Sequence, residues 1–263
     1  MSAPVPEPVD GPAGELTDAR RRALRIEIAL VLAVTFGLSG YTALLNLVES
    51  VLLGLSGQVV ALNPKRSPYD LIDLGLNLAG VFQLLAWGSL GLYLLWRGGA
   101  RLAEIGLGRL RARADLLGGL GLAALIGVPG LAFYQLARIL GINASVEPAE
   151  LYDTWWRIPV LLLISFGNGW AEEIIVVGFL LTRLRQLKMN PMLAIVVSSV
   201  LRGAYHLYQG FGAGLGNVAM GLVFGYAWHR TGRLWPLIIA HTLIDAVAFV
   251  GYALLAGHLG WLR

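Results

Sequence analysis

Six ionisable residues lie inside apolar stretches in the C-terminal half of the chain. They are Glu172, Glu173, Arg202, His206, His241 and Asp245. An ionised side chain in bilayer hydrocarbon costs at least ~3 kcal/mol, so polar groups there face one another or water. A single His in such a stretch is more often a structural hydrogen-bond partner than a reactive group. Six such residues on three predicted helices instead indicate one shared polar site.

The spacing of these residues fits helices. Arg202 and His206 are four residues apart, and so are His241 and Asp245. Residues at this spacing share one face of a helix, so each pair is expected to project in one direction. The two adjacent glutamates differ by about 100° around a helix, because an α-helix has 3.6 residues per turn. We therefore expect one glutamate to face the reacting centre and the other to brace a neighbouring helix.

Three kinds of chemistry fit these residue types. In hydrolysis, a carboxylate and an imidazole deprotonate a water, and a second polar pair stabilises the oxyanion. In a metal site, Zn²⁺ or another divalent ion is held by carboxylates and imidazoles while a glutamate activates its water. The candidate ligands for such an ion are Glu172, His206, His241 and Asp245. In ion or proton transport, the same side chains form a relay. Spacing alone leaves all three open.

The composition predicts a polytopic membrane protein. Hydrophobic residues make up 57% of the 263 residues and charged residues 14%, whereas soluble domains have about 25% charged residues. The net charge of +4 does not indicate a nucleic-acid partner, because the basic residues cluster in short connections between apolar runs. The absence of cysteine excludes disulfides, thiolate metal ligands and a Cys nucleophile.

The apolar runs predict an all-α, polytopic transmembrane helical bundle with about seven spans, or six to eight. The predicted spans lie at about 28–48, 74–96, 116–140, 159–184, 191–208, 212–228 and 234–255. Between the second and third spans, arginines interleaved with Leu and Ile predict an amphipathic segment on the membrane surface at 97–115.

The remaining organisation follows from charge and composition. Residues 1–25 are predicted to be a disordered, basic-ended cytoplasmic tail, because their first part is rich in Pro, Gly and acidic residues. Residues 26–263 are predicted to form a single transmembrane domain. Most of the 20 Lys and Arg residues fall on the side of the N-terminus if the spans alternate. The positive-inside rule therefore predicts a multi-pass protein with a cytoplasmic N-terminus.

The order of the polar residues resembles the CPBP family of membrane proteases, which includes the type II CAAX prenyl endopeptidases. The family motifs are Glu-Glu-x-x-x-Arg-Gly, Phe-x-x-x-His and His-x-x-x-Asn or His-x-x-x-Asp, on successive helices. The matching residues here are Glu172, Glu173, Gly178, His206, His241 and Asp245. The resemblance covers a protease-like core at 159–252. It implies an α-helical fold and endopeptidase cleavage of a membrane-associated peptide or protein.

The resemblance also implies a role for each site residue. Glu172 and His206 would bind and activate the hydrolytic water. His241 with Asp245 would stabilise the oxyanion, and Asp245 can donate a hydrogen bond there only when protonated. Glu173 would be structural or auxiliary. Family members have been described both as metalloproteases and as metal-independent glutamate proteases, so both types stay open.

Two positions depart from the family motifs. Val177 replaces the Arg of the first motif, and Arg202 replaces the Phe of the second. A buried carboxylate pair needs a cation, and Arg202 is the only one that the predicted core offers. We therefore predict a structural ion pair in which the guanidinium has moved from the glutamate helix to the facing helix. A divergent protease fits these departures, as does the alternative of a transporter or a non-catalytic membrane scaffold.

Overall fold

The structure is a computed structural model that describes residues 16–147, 149, 154–251 and 254. The described part of the chain is mostly helical. Its α-helices are α1 (Asp18–Val34), α2 (Phe36–Leu53), α3 (Asp70–Arg97), α4 (Ala112–Ile139), α5 (Arg157–Glu172), α6 (Leu180–Gln186), α7 (Pro191–Ala204), α8 (Phe211–Thr231) and α9 (Trp235–Ala246). A π-helical segment, Glu173–Phe179, joins α5 to α6, and a second, Val247–Gly251, follows α9.

Four of these helical stretches are long and apolar enough to cross a membrane. They are α2, α3, α4 and the continuous run Arg157–Gln186. The helices Pro191–Ala204 and Trp235–Gly251 are apolar but shorter. An all-α membrane fold is therefore supported, whereas the count of seven spans is not confirmed. The predicted end of the last span, at 255, lies outside the described residues.

The first predicted span is two helices. Thr35 separates α1 from α2 with φ −123° and ψ −119°, outside the helical region, and its hydroxyl donates to the Val31 carbonyl at 2.7 Å. Helix α1 begins at Asp18, where the Thr17 side chain caps it by accepting from the backbone N–H of Arg20. Residues 18–25 are thus helical, which corrects the predicted boundary of a disordered tail. Residues 1–15 lie outside the described part.

The predicted amphipathic segment at 97–115 is mainly a loop of turns between α3 and α4. Its apolar residues Ile105 and Leu107 are buried, and the Ile105 carbonyl accepts from the indole N–H of Trp228 at 3.1 Å. Apolar residues at intervals in this loop therefore cover the ends of other helices.

Two short strands also depart from the all-α prediction. β1 (Val59–Ala61) and β2 (Ser145–Glu147) pair in parallel, with Val59 opposite Ser145. Just before β2, the backbone N–H of Ala144 donates to the carbonyl of Gln209 at 2.9 Å. The small sheet is therefore joined to the turn between α7 and α8.

The helical run that carries the two glutamates lies at the centre of the bundle. In the most apolar window of Arg157–Gln186, 67% of the residues are buried, against 6% for α4. Helix α5 packs against α3 on one side and α9 on the other. The run at 157–186 is therefore the structural core, and α4 presents most of its surface outward.

One end of the bundle, called the basic end here, gathers three loops. They are the α3–α4 loop (98–111), the α6–α7 loop (187–190) and the α8–α9 turn (232–234). Ion pairs join the elements there: Arg183 with Glu27 at 2.6 Å and Arg233 with Asp115 at 2.5 Å. The Asp115 carboxylate also raises the pKa of the Arg233 guanidinium by hydrogen bonding. That the basic end faces the cytoplasm stays a prediction.

Candidate active site

The site begins where the central helical run changes from α to π geometry. Glu172 is the last residue of α5, and Glu173 is the first residue of the π segment. A π-helix hydrogen-bonds i to i+5, so it rotates the following residues relative to an α-helix, and such segments are frequent at functional sites. Both glutamates are buried, with exposed fractions of 7% for Glu172 and 0% for Glu173.

Glu173 is the centre of a closed polar network. Its Oε1 accepts from Nη2 of Arg202 at 2.7 Å and from Nδ1 of His241 at 2.6 Å. Because a glutamate paired with arginine is ionised, the His241 nitrogen must be the donor. Glu173 therefore joins α7 and α9 to the central run, and it fixes the orientation of the His241 ring.

Glu172 has a different set of partners. Its Oε2 accepts from the hydroxyl of Tyr205 at 2.6 Å and lies 3.7 Å from Nη1 of Arg202. The Tyr205 ring is held between Phe36 and His206, with centroid distances of 4.8 Å to each. Within the described chain no hydrogen bond to Oε1 of Glu172 is formed, so this oxygen can still accept from a water or a substrate.

His206 presents one ring nitrogen to the site. Its Nδ1 lies 3.0 Å from the backbone carbonyl of Arg202. A carbonyl only accepts, so Nδ1 carries the proton, and in the neutral ring Nε2 has the free lone pair. The His206 ring and the Glu172 carboxylate are close enough to interact electrostatically. The turn after α7 and the end of α5 thus bring an imidazole and a carboxylate into one region.

The His241 and Asp245 pair completes the constellation. Nε2 of His241 lies 3.8 Å from Oδ1 of Asp245, beyond hydrogen-bonding distance. Oδ2 of Asp245 accepts from the amide of Asn168 at 2.8 Å. Both His241 and Asp245 also lie within electrostatic reach of Glu172. The described structure thus brings together all six residues that the sequence predicts for the site.

The depth at which these residues meet follows from short helices. Helix α7 has 14 residues, or about 21 Å, against about 30 Å for bilayer hydrocarbon. His206 lies two residues beyond the last residue of this helix, so it lies part-way along the bundle. A full-length fifth span would have placed His206 and His241 at different depths.

A glycine permits the contact between α5 and α9. A Cβ at Gly169 would lie 2.9 Å from both the Ile238 carbonyl and the Thr242 hydroxyl. Gly169 is one turn before Glu172 and Glu173, and the contacted residues flank His241. The missing side chain therefore sets the distance across which His241 reaches Glu173.

Residues 154–247 match a family model whose description is type II CAAX prenyl endopeptidase Rce1-like. This region of the chain, called the matched region here, is similar to that family's domain. The match confirms the predicted resemblance to the CPBP and CAAX protease family. It includes every helix that contributes one of the six polar residues. No curated protein and no solved structure matches the chain.

The sequence did not predict two polar contacts of the site. Tyr205 and Asn168 hold oxygens of Glu172 and Asp245, respectively. Neither residue is charged, so neither stands out as costly in an apolar run. Asn168 is four residues before Glu172. This helical spacing is the one sequence feature that links Asn168 to the site.

The donor arrangement of the described site does not fit the suggested set of metal ligands. Among the described residues, no three His, Asp or Glu side chains converge as ligands of one ion. The His241 Nδ1 and the Asp245 Oδ2 are already engaged by Glu173 and Asn168. The class of metalloendopeptidase is therefore not supported, and we derive no catalytic step from a metal.

Proposed function

We propose that the chain is an intramembrane endopeptidase that hydrolyses a peptide bond of a membrane-associated peptide or protein. The Rce1-like match supports a protease of the CAAX type, since that family is a protease family. The apolar helices support a bilayer location. The site chemistry proposed below is glutamate-type, with Glu172 as the base.

The difference between the two glutamates is the observation that carries the proposal. Glu173 is fully buried and holds Arg202 and His241. Glu172 is slightly exposed and receives a neutral hydroxyl, while its second oxygen has no hydrogen bond from the described residues. A general base needs one oxygen within hydrogen-bonding reach of water and an orientation set by other contacts. Glu172 meets both requirements, and Glu173 is suited to support.

In the first step, Oε1 of Glu172 takes a proton from a water that Nε2 of His206 also orients. The resulting hydroxide attacks the carbonyl carbon of the peptide bond and forms a tetrahedral intermediate. General-base assistance of this kind contributes about 10² to 10⁴ in rate. The Tyr205 hydroxyl holds Glu172 in place during this transfer.

In the second step, the oxyanion of the intermediate is stabilised from α9. His241 donates a hydrogen bond from Nδ1–H to Glu173, so a protonated His241 directs its Nε2–H toward the oxyanion. Asp245 is oriented by the hydrogen bond that it accepts from Asn168, and when protonated it donates a second hydrogen bond to the oxyanion. The proton that Glu172 received then moves to the leaving amine as the C–N bond breaks. Glu172 on α5 thus serves as base and then as acid, and His241 on α9 supplies the oxyanion donor.

The test is proteolysis by the purified, full-length protein in detergent, using a library of peptides with mass-spectrometric detection. Glu172→Gln keeps the volume and the hydrogen bond from Tyr205 but removes the base. We expect it to lower the cleavage rate by about 10² to 10⁴ while the melting temperature stays near that of the unchanged protein. The matched control is Glu49→Gln, since Glu49 is an exposed carboxylate on α2.

A second arm adds a chelator, with and without Zn²⁺. Cleavage that persists in chelator supports the glutamate-type mechanism, and loss of cleavage that Zn²⁺ restores contradicts it. Cleavage retained in Glu172→Gln contradicts the assignment of the base and shifts it to Glu173. Absence of cleavage across the whole library favours a non-catalytic scaffold or a transporter that keeps the family fold.

A further inference from the structure

A cavity of about 510 Å³ opens at the basic end of the bundle. Its walls come from the α3–α4 loop, α6 and α8. The residues that matter for its chemistry are Glu104, Ile105, Thr182, Arg185, Gln186 and Trp228. Arg185 is 13 residues beyond Glu172 in the same helical run, or about 20 Å at 1.5 Å per residue. The cavity is therefore separate from the candidate active site.

Arg185 supplies free positive charge to this cavity. Its guanidinium lies 5.7 Å from the ring centroid of Trp228, which supports it from one side. Arg101, Arg183 and Arg233 at the same end each pair with a carboxylate. Arg185 has no carboxylate within 4 Å among the described residues. Its N–H donors therefore remain available to an anion.

The neighbours of Arg185 leave this charge uncancelled. Gln186 accepts from Nη1 of Arg183 through Oε1, so its amide N–H₂ group is available as a second donor. Glu104, the carboxylate of the cavity, is paired with Arg101 at 2.7 Å. Hydrogen bonds from the Arg101 backbone N–H and then from its guanidinium lower the pKa of Glu104. The cavity thus combines a cation, an amide donor and an already paired acid.

The level of the cavity in the bundle matches that of lipid headgroups. It lies where α3 ends at Arg97, α6 ends at Gln186 and α8 ends at Thr231. Tyr93 and Trp96 are exposed on the last turn of α3, and aromatic residues concentrate at membrane interfaces. An apolar wall next to this level would contact the first carbons of an acyl chain.

We propose that the basic-end cavity binds the phosphate of an anionic phospholipid headgroup. Arginine binds phosphate through two parallel hydrogen bonds, and basic pockets between transmembrane helices recognise anionic headgroups. The acyl chains of a lipid hold its phosphate at the level of Arg185, whereas a free phosphate ion is not held there. This inference is independent of the proposed proteolysis.

The experiment uses the purified, delipidated full-length protein in a neutral detergent. Dioleoylphosphatidylglycerol, dioleoylphosphatidylcholine and inorganic phosphate are titrated separately, and bound lipid is counted by native mass spectrometry alongside thermal unfolding. We expect phosphatidylglycerol to bind and to raise the melting temperature. Phosphatidylcholine carries the same phosphate next to a cationic choline, which Arg185 repels, so it should bind more weakly. Inorganic phosphate should neither bind nor raise the melting temperature at the same concentration. Arg185→Gln should weaken phosphatidylglycerol binding about tenfold, as loss of a charge-assisted hydrogen bond does.

Two further variants decide between a site and a general charge effect. Arg230→Gln removes an exposed arginine from the same end of the bundle, and it should leave binding unchanged. Gln186→Glu keeps Arg185 but places a negative charge beside the phosphate, so it should also weaken binding. Equal loss in Arg185→Gln and Arg230→Gln would overturn the site, as would absence of phosphatidylglycerol binding. An equal effect of inorganic phosphate would overturn the lipid as the ligand. If Arg185→Gln melts early without lipid, Gln186→Glu carries the test.

Discussion

Arg183 and Arg202 are both fully buried arginines of the same bundle, but their surroundings differ. Arg183 uses all three guanidinium nitrogens: Nε on Glu27, Nη1 on Gln186 and Nη2 on the Leu94 carbonyl. Arg202 uses only Nη2, on Glu173. Its Nε and Nη1 have no hydrogen-bond partner among the described residues, and neither has Oε2 of Glu173. Every guanidinium nitrogen of Arg183 thus has a hydrogen-bond partner, whereas the Arg202–Glu173 pair keeps buried donors and an acceptor without one.

This difference indicates different roles for the two arginines. Arg183 holds α1, α3 and α6 together at the basic end, where Glu27 is partly exposed. Arg202 lies among apolar helices, where unsatisfied polar atoms are costly and therefore need a functional explanation. Water or a substrate carbonyl bound beside Glu172 would supply the missing partners. The comparison thus supports a structural role for Arg183 and agrees with the proposed site beside Arg202.

The largest expected effect concerns the ion pair itself. Arg202→Phe should lower the free energy of unfolding by about 3 to 5 kcal/mol, because Glu173 would keep a buried charge without a cation. Arg183→Gln should cost less, about 1 to 3 kcal/mol, because water can reach Glu27. Thermal and denaturant unfolding in detergent measure both. Equal losses would remove the distinction between the two arginines.

The next effect tests how closely the site is packed. Gly169→Ala places a methyl group against the Ile238 carbonyl and Thr242, and such overpacking typically costs about 1 to 3 kcal/mol. We expect a larger fall in cleavage rate than in stability, because His241 and Glu172 move apart. The control is Gly121→Ala on α4, where a Cβ meets nothing within 4 Å. A harmless Gly169→Ala would show that the α5–α9 distance is not set there.

The arginine exchange gives a third prediction. Val177→Arg combined with Arg202→Phe recreates the family arrangement, and it should recover part of the stability that Arg202→Phe loses. A double-mutant cycle on unfolding free energy should show a coupling of about 0.5 to 3 kcal/mol. Strictly additive effects would mean that Arg202 has another task than replacing the motif arginine.

The smallest effect concerns the neutral partner of the base. Tyr205→Phe keeps the ring between Phe36 and His206 but removes the hydroxyl that holds Glu172. We expect a stability loss of about 0.5 to 1.5 kcal/mol and a cleavage rate about tenfold lower, as for one lost hydrogen bond. Tyr226→Phe, at an exposed tyrosine of α8, serves as the control. An unchanged rate in Tyr205→Phe would leave Tyr205 with a packing role only.

The sequence by itself determined the features that depend on local geometry. Apolar runs predict helices because a membrane requires internal backbone hydrogen bonds. Four-residue spacing places Arg202 near His206 and His241 near Asp245, because it is a property of any helix. The free-energy cost of charge in an apolar run singled out all six polar residues, and the family match at 154–247 includes all of them.

Only the tertiary structure decided the contacts between helices. The choice of Glu173 rather than Glu172 as the main partner of Arg202 depends on the π segment and on the rotation of α7. The break at Thr35 and the short length of α7 also depend on packing. Helix rotation and depth follow from how neighbouring side chains interlock, as at Gly169, and a periodic pattern in one segment carries no information about its neighbour.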